Sequence, residues 1–378
     1  MKKIYLDNAA TTPIAQEVID VMHESMLENF GNPSSTHQFG RQAKNLVETA
    51  RKNIANLLNA SASEIIFTAG GTEADNLILH NAVNNLDVKR IITSKIEHHA
   101  VLHTVAFLQN TYNVEVDFVP VLPSGDISLE HLEDLLTQTD KKTLVSLMYI
   151  NNEIGNILPL EQVCDLCNKY NALFHSDTVQ AVGHYTINLQ KTPIDFMVAS
   201  AHKFHGPKGV GFAYFKKGFG IQPMFHGGDQ EKGARSSTEN VHGILGMEKA
   251  FLIASETLES DMIAMNTLKV FFMKELLKIN SNIRFNGQSS NIDLSSCTIL
   301  NVSLPIKNEL LLLFNLDLYG IAVSGGSACQ SGSSKGSHVL SEIIRNDIDG
   351  YTSIRFSFSR YTNKEELNYT IQQLKKIL

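Results

Sequence analysis

The 378-residue chain has only four cysteines, Cys164, Cys167, Cys297 and Cys329. So few in so long a chain do not make a disulfide framework, and a reducing, cytoplasmic setting is expected. No apolar segment reaches the length of a membrane-spanning helix. The opening "MKKIYLDNAATTP" has two lysines but lacks the apolar run of a secretory leader. Charge is unpatterned: 32 basic and 39 acidic residues give a net −7, with no long block of either sign. Nucleic acids and anionic membranes select a positive field, so direct binding to either is not expected. Internal repeats are also missing. What is present is a soluble composition, 43% hydrophobic and 19% charged, in a chain long enough for two domains or one large domain with a satellite.

Short β-branched runs alternate with helical patterns through the first 215 residues. Strands are predicted at 64–68, 90–94, 114–119, 143–150, 172–177, 195–200 and 210–215. Upstream, Phe39, Ala43, Leu46, Val47, Ala50, Ile54, Leu57 and Leu58 mark one face of a helix. This alternation predicts an α/β fold with a mainly parallel sheet covered by helices, whose ligands gather at the carboxyl ends of strands. Proline is absent from Asn240 to Ile279 while apolar residues recur at helical spacing, which predicts one long or broken helix. The remainder has its own strands ("TILNVSL", "SIRFSF") and helices ("NELLLLFNL", "KEELNYTIQQLKKIL"), the pattern of a smaller α+β domain.

Three predicted strands end in chemistry-bearing residues. In "IIFTAGGTEADN" the strand stops at Ala69-Gly70-Gly71; Thr72 can cap the next helix, with Asp75 completing a box-like pattern. Free amides at such a start seat a phosphate, although a plain capped turn would read the same way. In "FHSDTVQ" Asp177 ends an apolar strand, where a carboxylate needs a cation or several donors, and Gln180 follows three residues on. In "DFMVASAHKFHGPKG" Lys203 lies at the end of another apolar strand, where lost solvation favours a neutral, nucleophilic amine, and Ser200 and His202 flank it with donors. A phosphate seat, a carboxylate and a lysine at strand ends are the set that pyridoxal phosphate requires. His99 and His103 have i, i+4 spacing but no evident third ligand, and Cys164 and Cys167 suit the buried face of a helix, so no metal is expected. The stretch "SGGSACQSGSSKGS" (324–337) is mostly Gly and Ser, the composition of a mobile loop, with Cys329 near its middle.

The blocks "YLDNAATTP", "GNPSSTH", "GGTEADN", "EHHAV", "NNEIG", "SDTVQ", "SAHKFHGPKG", "HGGDQEKGARSSTEN", "SGGSACQSGS" and "SIRFSFSR" occur in the order of a known family. The chain resembles a group I cysteine desulfurase, the NifS/IscS-like branch of the fold-type-I pyridoxal phosphate enzymes within the class-V aminotransferases. The resemblance implies a large cofactor domain (16–255) and a homodimer. It also implies a small domain (1–15 and 256–378) carrying the loop 324–337. It makes Lys203 the Schiff-base lysine, Asp177 the partner of the ring nitrogen and His98 the stacking histidine. Gly71, Thr72, Ser200 and His202 fall on phosphate-binding positions, Thr238 on a threonine reaching the phosphate from the partner subunit, and Asn152 and Gln180 on cofactor contacts. Arg355, with Asn152, would hold the substrate carboxylate. Cys329 would take sulfur from L-cysteine, giving L-alanine and a persulfide for an acceptor protein, an iron–sulfur scaffold or a tRNA-thiolation enzyme. Another fold-type-I enzyme, a selenocysteine lyase or aminotransferase, is the alternative. Two departures stand out: Lys335-Gly336 in the loop where acidic-proline pairs are frequent, and Ser237 where glycine is frequent.

Overall fold

A computed structural model describes residues 3–138, 140–325, 336–343 and 350–378. The chain opens with β1 (Ile4–Tyr5), α1 (Gln16–Glu28) and α2 (Gln38–Leu57). Strands and helices then alternate: β2 (Ile65–Thr68), α3 (Gly71–Asn84), β3 (Arg90–Ser94), α4 (His99–Tyr112), β4 (Glu115–Val119), α5 (Leu129–Thr137), β5 (Thr143–Ser146), α6 (Leu160–Lys169), β6 (Leu173–Asp177), β7 (Phe196–Ser200) and β8 (Gly211–Phe215). The proline-free stretch is a single helix, α7 (Val241–Ile279). After it come β9 (Arg284–Phe285), β10 (Ile299–Leu304), α8 (Glu309–Leu318), β11 (Ile321–Ala322), β12 (Ser324–Gly325), α9 (His338–Ile343), β13 (Thr352–Ser357) and α10 (Lys364–Ile377).

All the predicted strands of the first 215 residues join one sheet in the order β2-β8-β7-β6-β5-β3-β4. Only β8 runs antiparallel to its neighbours, β2 and β7; the other pairings are parallel. The reversal follows from the connections. Parallel strands need long crossovers, whereas β7 returns to β8 through a short turn containing Pro207 and Gly209, the latter at φ +77°, where a side chain would be strained. Successive residues face opposite sides of the sheet: Ile65, Ile92, Val145 and Met197 enter a core with α2, α5, α6 and the start of α7. Ile66, Ile91, Leu144 and Val198 enter a second core with α3 and α4. Burial on both faces explains why these strands, apart from the edge strand β4 with its exposed Glu115 and Phe118, read as largely apolar, β-branched runs.

A third core joins the two chain ends. Ile4 and Leu6 pack with Phe272, Leu276, Val302, Phe356 and Leu367. A four-stranded sheet, β12-β13-β10-β9, backs this core, and β1 pairs with β11 beside it. Helix α7 bridges the cores, placing Ile244, Met247 and Phe251 in the first and Phe272 and Met273 in the third. Among the described residues no helix is long and apolar enough to cross a membrane.

One buried ion pair pins α2 to the sheet. Arg51 Nη1 and Nη2 donate to the Glu231 carboxylate at 2.6 and 2.8 Å, and the Phe67 amide donates to Glu231 Oε2 at 2.9 Å. Both side chains are almost fully withdrawn from water, so removing the guanidinium strands a carboxylate. Arg51→Met is expected to cost about 3–5 kcal/mol of stability in urea titrations, and Arg51→Met/Glu231→Gln should recover part of it.

Candidate active site

The carboxyl ends of β2, β6 and β7 open on one cavity of about 860 Å³. Lys203, on the turn after β7, lines it together with Asp177 at the end of β6 and His98 at the start of α4. Gly71, Thr72, Asn152, Gln180, Ser200, His202 and Arg355 line it too. One expected residue is not brought in. Thr238 is exposed and lines a neighbouring hollow, which shares Ala69 and Gly209 with the cavity wall. Cys329 lies outside the described residues.

The N-terminal segment closes the floor. Lys203 Nζ donates to the carbonyls of Ala9 (2.7 Å) and Ala10 (2.9 Å), and Gln180 Nε2 donates to Ala9 O at 3.0 Å. His202 Nδ1 lies 3.1 Å from Thr11 Oγ1. Burial, followed by the nearby Lys203 and Lys208, pushes His202 down to about 4, so its ring is neutral near pH 7. Opposite, Arg355 donates to the Asn152 carbonyl at 2.7 Å and to Asp7 Oδ1 at 2.9 Å, while its buried Nε has no hydrogen-bond partner among the described residues. Asp7 was not foreseen as a site residue; its only signal was membership of the "YLDNAATTP" block.

The expected cap at Thr72 is wrong. Helix α3 starts two residues earlier than that cap implies, with Gly70 at the cap position and no side-chain cap, and the Ala69 amide donates to Glu73 Oε2 at 2.9 Å. The hydroxyl of Thr72 is thereby left at the cavity, beside the first-turn amides. A side chain at position 71 would bring its Cβ to 2.7 Å from Val179 Cγ2, so glycine lets the helix start sit against the strand ends. Asp75, freed from any capping box, turns inward and is 1% exposed.

Polar side-chain atoms of Asp75, His98 and Asp177 lie within 4.8 Å of one another. Asp177 Oδ1 accepts the Val179 amide at 2.9 Å. Burial raises the Asp177 carboxyl, opposed by His98, that amide and Lys203. His98 caps α4, its Nδ1 accepting the Ala100 amide at 3.1 Å. Burial lowers His98, Asp177 raises it, and Lys203 lowers it further. A neutral ring that accepts at Nδ1 carries its proton on Nε2. Behind it, burial pushes Glu97 up to about 8, although Ser94 Oγ donates to it at 2.7 Å.

Both described ends of the loop 324–337 attach to residues next to the cavity-lining Arg355, Asn152 and His98. Ser324 Oγ donates to Asp7 Oδ1 at 2.7 Å, and Ser324 pairs with Arg355 in the β12–β13 ladder. Ser337 Oγ donates to Glu153 at 2.5 Å, and His338 Nε2 lies 2.9 Å from the Glu97 carbonyl. His338 also brings its ring 4.5 Å from that of His99, a neighbour that sequence spacing could not reveal. Cys164 and Cys167 are buried in the first core, as expected, and Cys297 is buried as well.

Residues 4–370 match the family described as aminotransferase class-V. The chain is 41% identical to the cysteine desulfurase IscS of Dictyoglomus turgidum over 100% of its own length and 95% of the relative's. It superposes on a structure titled NifS-like protein with a TM-score of 0.90 at 37% identity, covering 100% and 99% of the two chains. It also superposes on one titled SspA in complex with cysteine with a TM-score of 0.80 at 30% identity, covering 96% and 100%. The chain belongs to the class-V aminotransferase family, in its cysteine desulfurase branch. The family works with pyridoxal phosphate, and this cavity fits that group: a buried carboxylate, an amine held on backbone carbonyls, and a glycine-opened helix start face one space.

Two expectations follow. The folded chain keeps the Glu97 proton up to about 8, whereas the unfolded chain releases it near 4.5. This group's contribution to stability is therefore full below that lower value and is lost as pH rises toward 8. Thermal melts from pH 5 to 8 should show Glu97→Gln gaining on the parent by on the order of 2–4 kcal/mol across the range. Separately, Ser237 sits at φ +108°, in a region that favours glycine. Ser237→Gly should stabilise the chain by about 1 kcal/mol in the same assay.

Proposed function

We propose that the protein is a cysteine desulfurase that binds pyridoxal phosphate above Asp177 and moves sulfur from L-cysteine to Cys329, releasing L-alanine. One observation carries this reading: Lys203, Asp177 and Arg355 line one cavity, and both described ends of the cysteine-bearing loop bond to side chains beside its lining, Asp7 next to Arg355 and Glu153 next to Asn152. Cys329 is five residues from Ser324, a span of at most about 18 Å, so its sulfur can reach the cavity from that anchor.

Asp177 would pair with the ring nitrogen, with His98 on the ring face and Asn152 and Gln180 beside it. The phosphate would take the first-turn amides at Gly71 and Thr72, with Ser200 and His202. Thr238 would reach it from the second subunit of a homodimer, its exposure here being consistent with a partner's approach. Bound there, the group supplies an electron sink for the pair left at the substrate α-carbon. Arg355 offers its planar fork to the substrate carboxylate, sharing or yielding its contact with Asp7. Lys203 Nζ takes the α-proton, and His98 holds a proton at Nε2 for transfer within the site. A bond then forms between Cys329 Sγ and the substrate sulfur as the Cβ–S bond breaks, and the electron pair stays with the carbon skeleton. A thiol and cysteine give a persulfide and alanine, balanced without outside oxidant or reductant. The thiolate is the competent nucleophile, and an ordinary thiol titrates near ~8.5.

The persulfide would pass to an acceptor protein, an iron–sulfur scaffold or a tRNA-thiolation enzyme, in the cytoplasm; the IscS relatives support the former. Residues 16–255 would form the cofactor domain, with 1–15 and 256–378 forming the smaller one.

Incubation with L-cysteine should add one sulfur to Cys329 by mass spectrometry, with one alanine formed per persulfide. Cys329→Ser should keep the visible absorbance of the bound cofactor but lose alanine formation by ~100-fold or more. Alanine released by that variant at the parent's rate would instead point to a lyase that needs no acceptor thiol.

A further inference from the structure

We propose that Asp75 is a second carboxyl of this site, one that carries a proton at neutral pH and donates it in a hydrogen bond to His175, so that Asp177 alone stands as the anion available to the ring nitrogen. The inference concerns the same cavity as the proposed function and rests on that reading only for its consequence.

Asp75 reaches the site from the second turn of α3, and His175 from β6, two residues before Asp177. Asp75 Oδ1 and His175 Nε2 face one another at 3.4 Å, and neither has a closer hydrogen-bond partner among the described residues. The imidazole is fully buried, and its other nitrogen, Nδ1, lies 2.9 Å from Ser146 Oγ. Two polar atoms so deep in a core must share a proton, because two bare acceptors would repel and both would lose their solvation unpaid.

Where that proton sits is decided by the surroundings. Burial pushes His175 down to about 3, so it cannot offset an anion by becoming a cation. The charged and titratable groups facing Asp75 are Asp177 and His175 on β6, and Glu97 and His98 at the start of α4. Burial first, then the Asp177 anion, and Glu97 wherever it ionises, raise Asp75 well above the carboxylate range. Asp177 has what Asp75 lacks: a backbone donor at Val179, and Lys203 near enough to favour its anion. One proton between two carboxyls therefore goes to Asp75. The neutral acid donates from Oδ1 to His175 Nε2, and His175 keeps its own proton on Nδ1, directed at Ser146 Oγ. Asp75 is thus a positioning residue. It keeps the negative charge available to the ring nitrogen at one, leaving Lys203 free to shed the proton that an added anion would hold on it.

The test uses the full chain without cofactor, labelled with nitrogen-15 in its 14 histidines. Long-range proton–nitrogen correlation should show His175 neutral between pH ~6 and ~8, with the proton on Nδ1 and a bare Nε2. Its signal would be assigned with Asp75→Asn or, should that variant fail to fold, with Ser146→Ala. Infrared difference spectra of the parent minus Asp75→Asn should contain a protonated-carboxyl band at neutral pH. A proton on Nε2, or a difference band of an ionised carboxylate, would overturn the inference. Failure of the parent to take up pyridoxal phosphate would instead sink the proposed function, and the tautomer would still decide this point.

Discussion

A carboxylate withdrawn from water at the end of a strand is the constraint around which this molecule is arranged. Asp177 is 6% exposed, and Asp75 and Glu97, each 1% exposed, crowd the same region. Three anions there would be untenable, because an isolated buried charge costs far more than any single hydrogen bond returns. The chain resolves this by unequal treatment. Asp177 receives the Val179 amide, His98 and Lys203, while the other two carboxyls are left to hold protons. A site with one favoured anion beside an amine is what an electron-poor ring needs, and it follows from where donors were placed rather than from the number of acids present.

The fold supplies those donors through its one reversed strand and its N-terminal segment. Because β7 turns straight back into β8, the chain makes a tight 3₁₀ turn at Ala201–Lys203 just past the sheet edge. That turn would expose backbone groups, and residues 9–12 cover it: the Thr12 amide donates to His202 O at 2.9 Å while Lys203 and Gln180 donate to Ala9 O. The same segment continues from β1, which belongs to the third core. Cofactor floor and terminal core are consequently one continuous piece of chain.

The parts of this arrangement legible in the sequence are those set by local pattern. Strands buried on both faces are continuous β-branched runs, so all of them were visible, and the absence of proline foretold α7. Lys203 and Asp177 were visible because a charge ending an apolar strand breaks that pattern. Arg355, His98 and Thr238 became candidates only through family resemblance: an arginine in a strand, a histidine before a helix and a threonine in a loop are each ordinary. Asp75 was misread as half of a capping box, since an Asp three residues after a Thr has that spacing whichever way it points. Asp7, Glu97 and His175 carried no chemical signal of their own beyond lying in or beside blocks of the family resemblance. Their surroundings are assembled from elements far apart in the chain, and the 3.4 Å approach of His175 to Asp75 exists only once α3 lies across β6.

The contact between Asp7 and Arg355 links substrate recognition to the cysteine-bearing loop. Asp7 Oδ1 accepts from both Arg355 Nη2 and Ser324 Oγ, and Ser324 is the first residue of that loop. Under the proposed function, a substrate carboxylate arriving at Arg355 would compete for the same guanidinium, because a planar fork satisfies one carboxylate fully and two only in part. Ser324 is also paired with Arg355 through the β12–β13 ladder, which keeps the two backbones in register while their side-chain partners change. One carboxylate at the seam between the terminal core and the cavity floor thus holds both the proposed substrate clamp and the loop root.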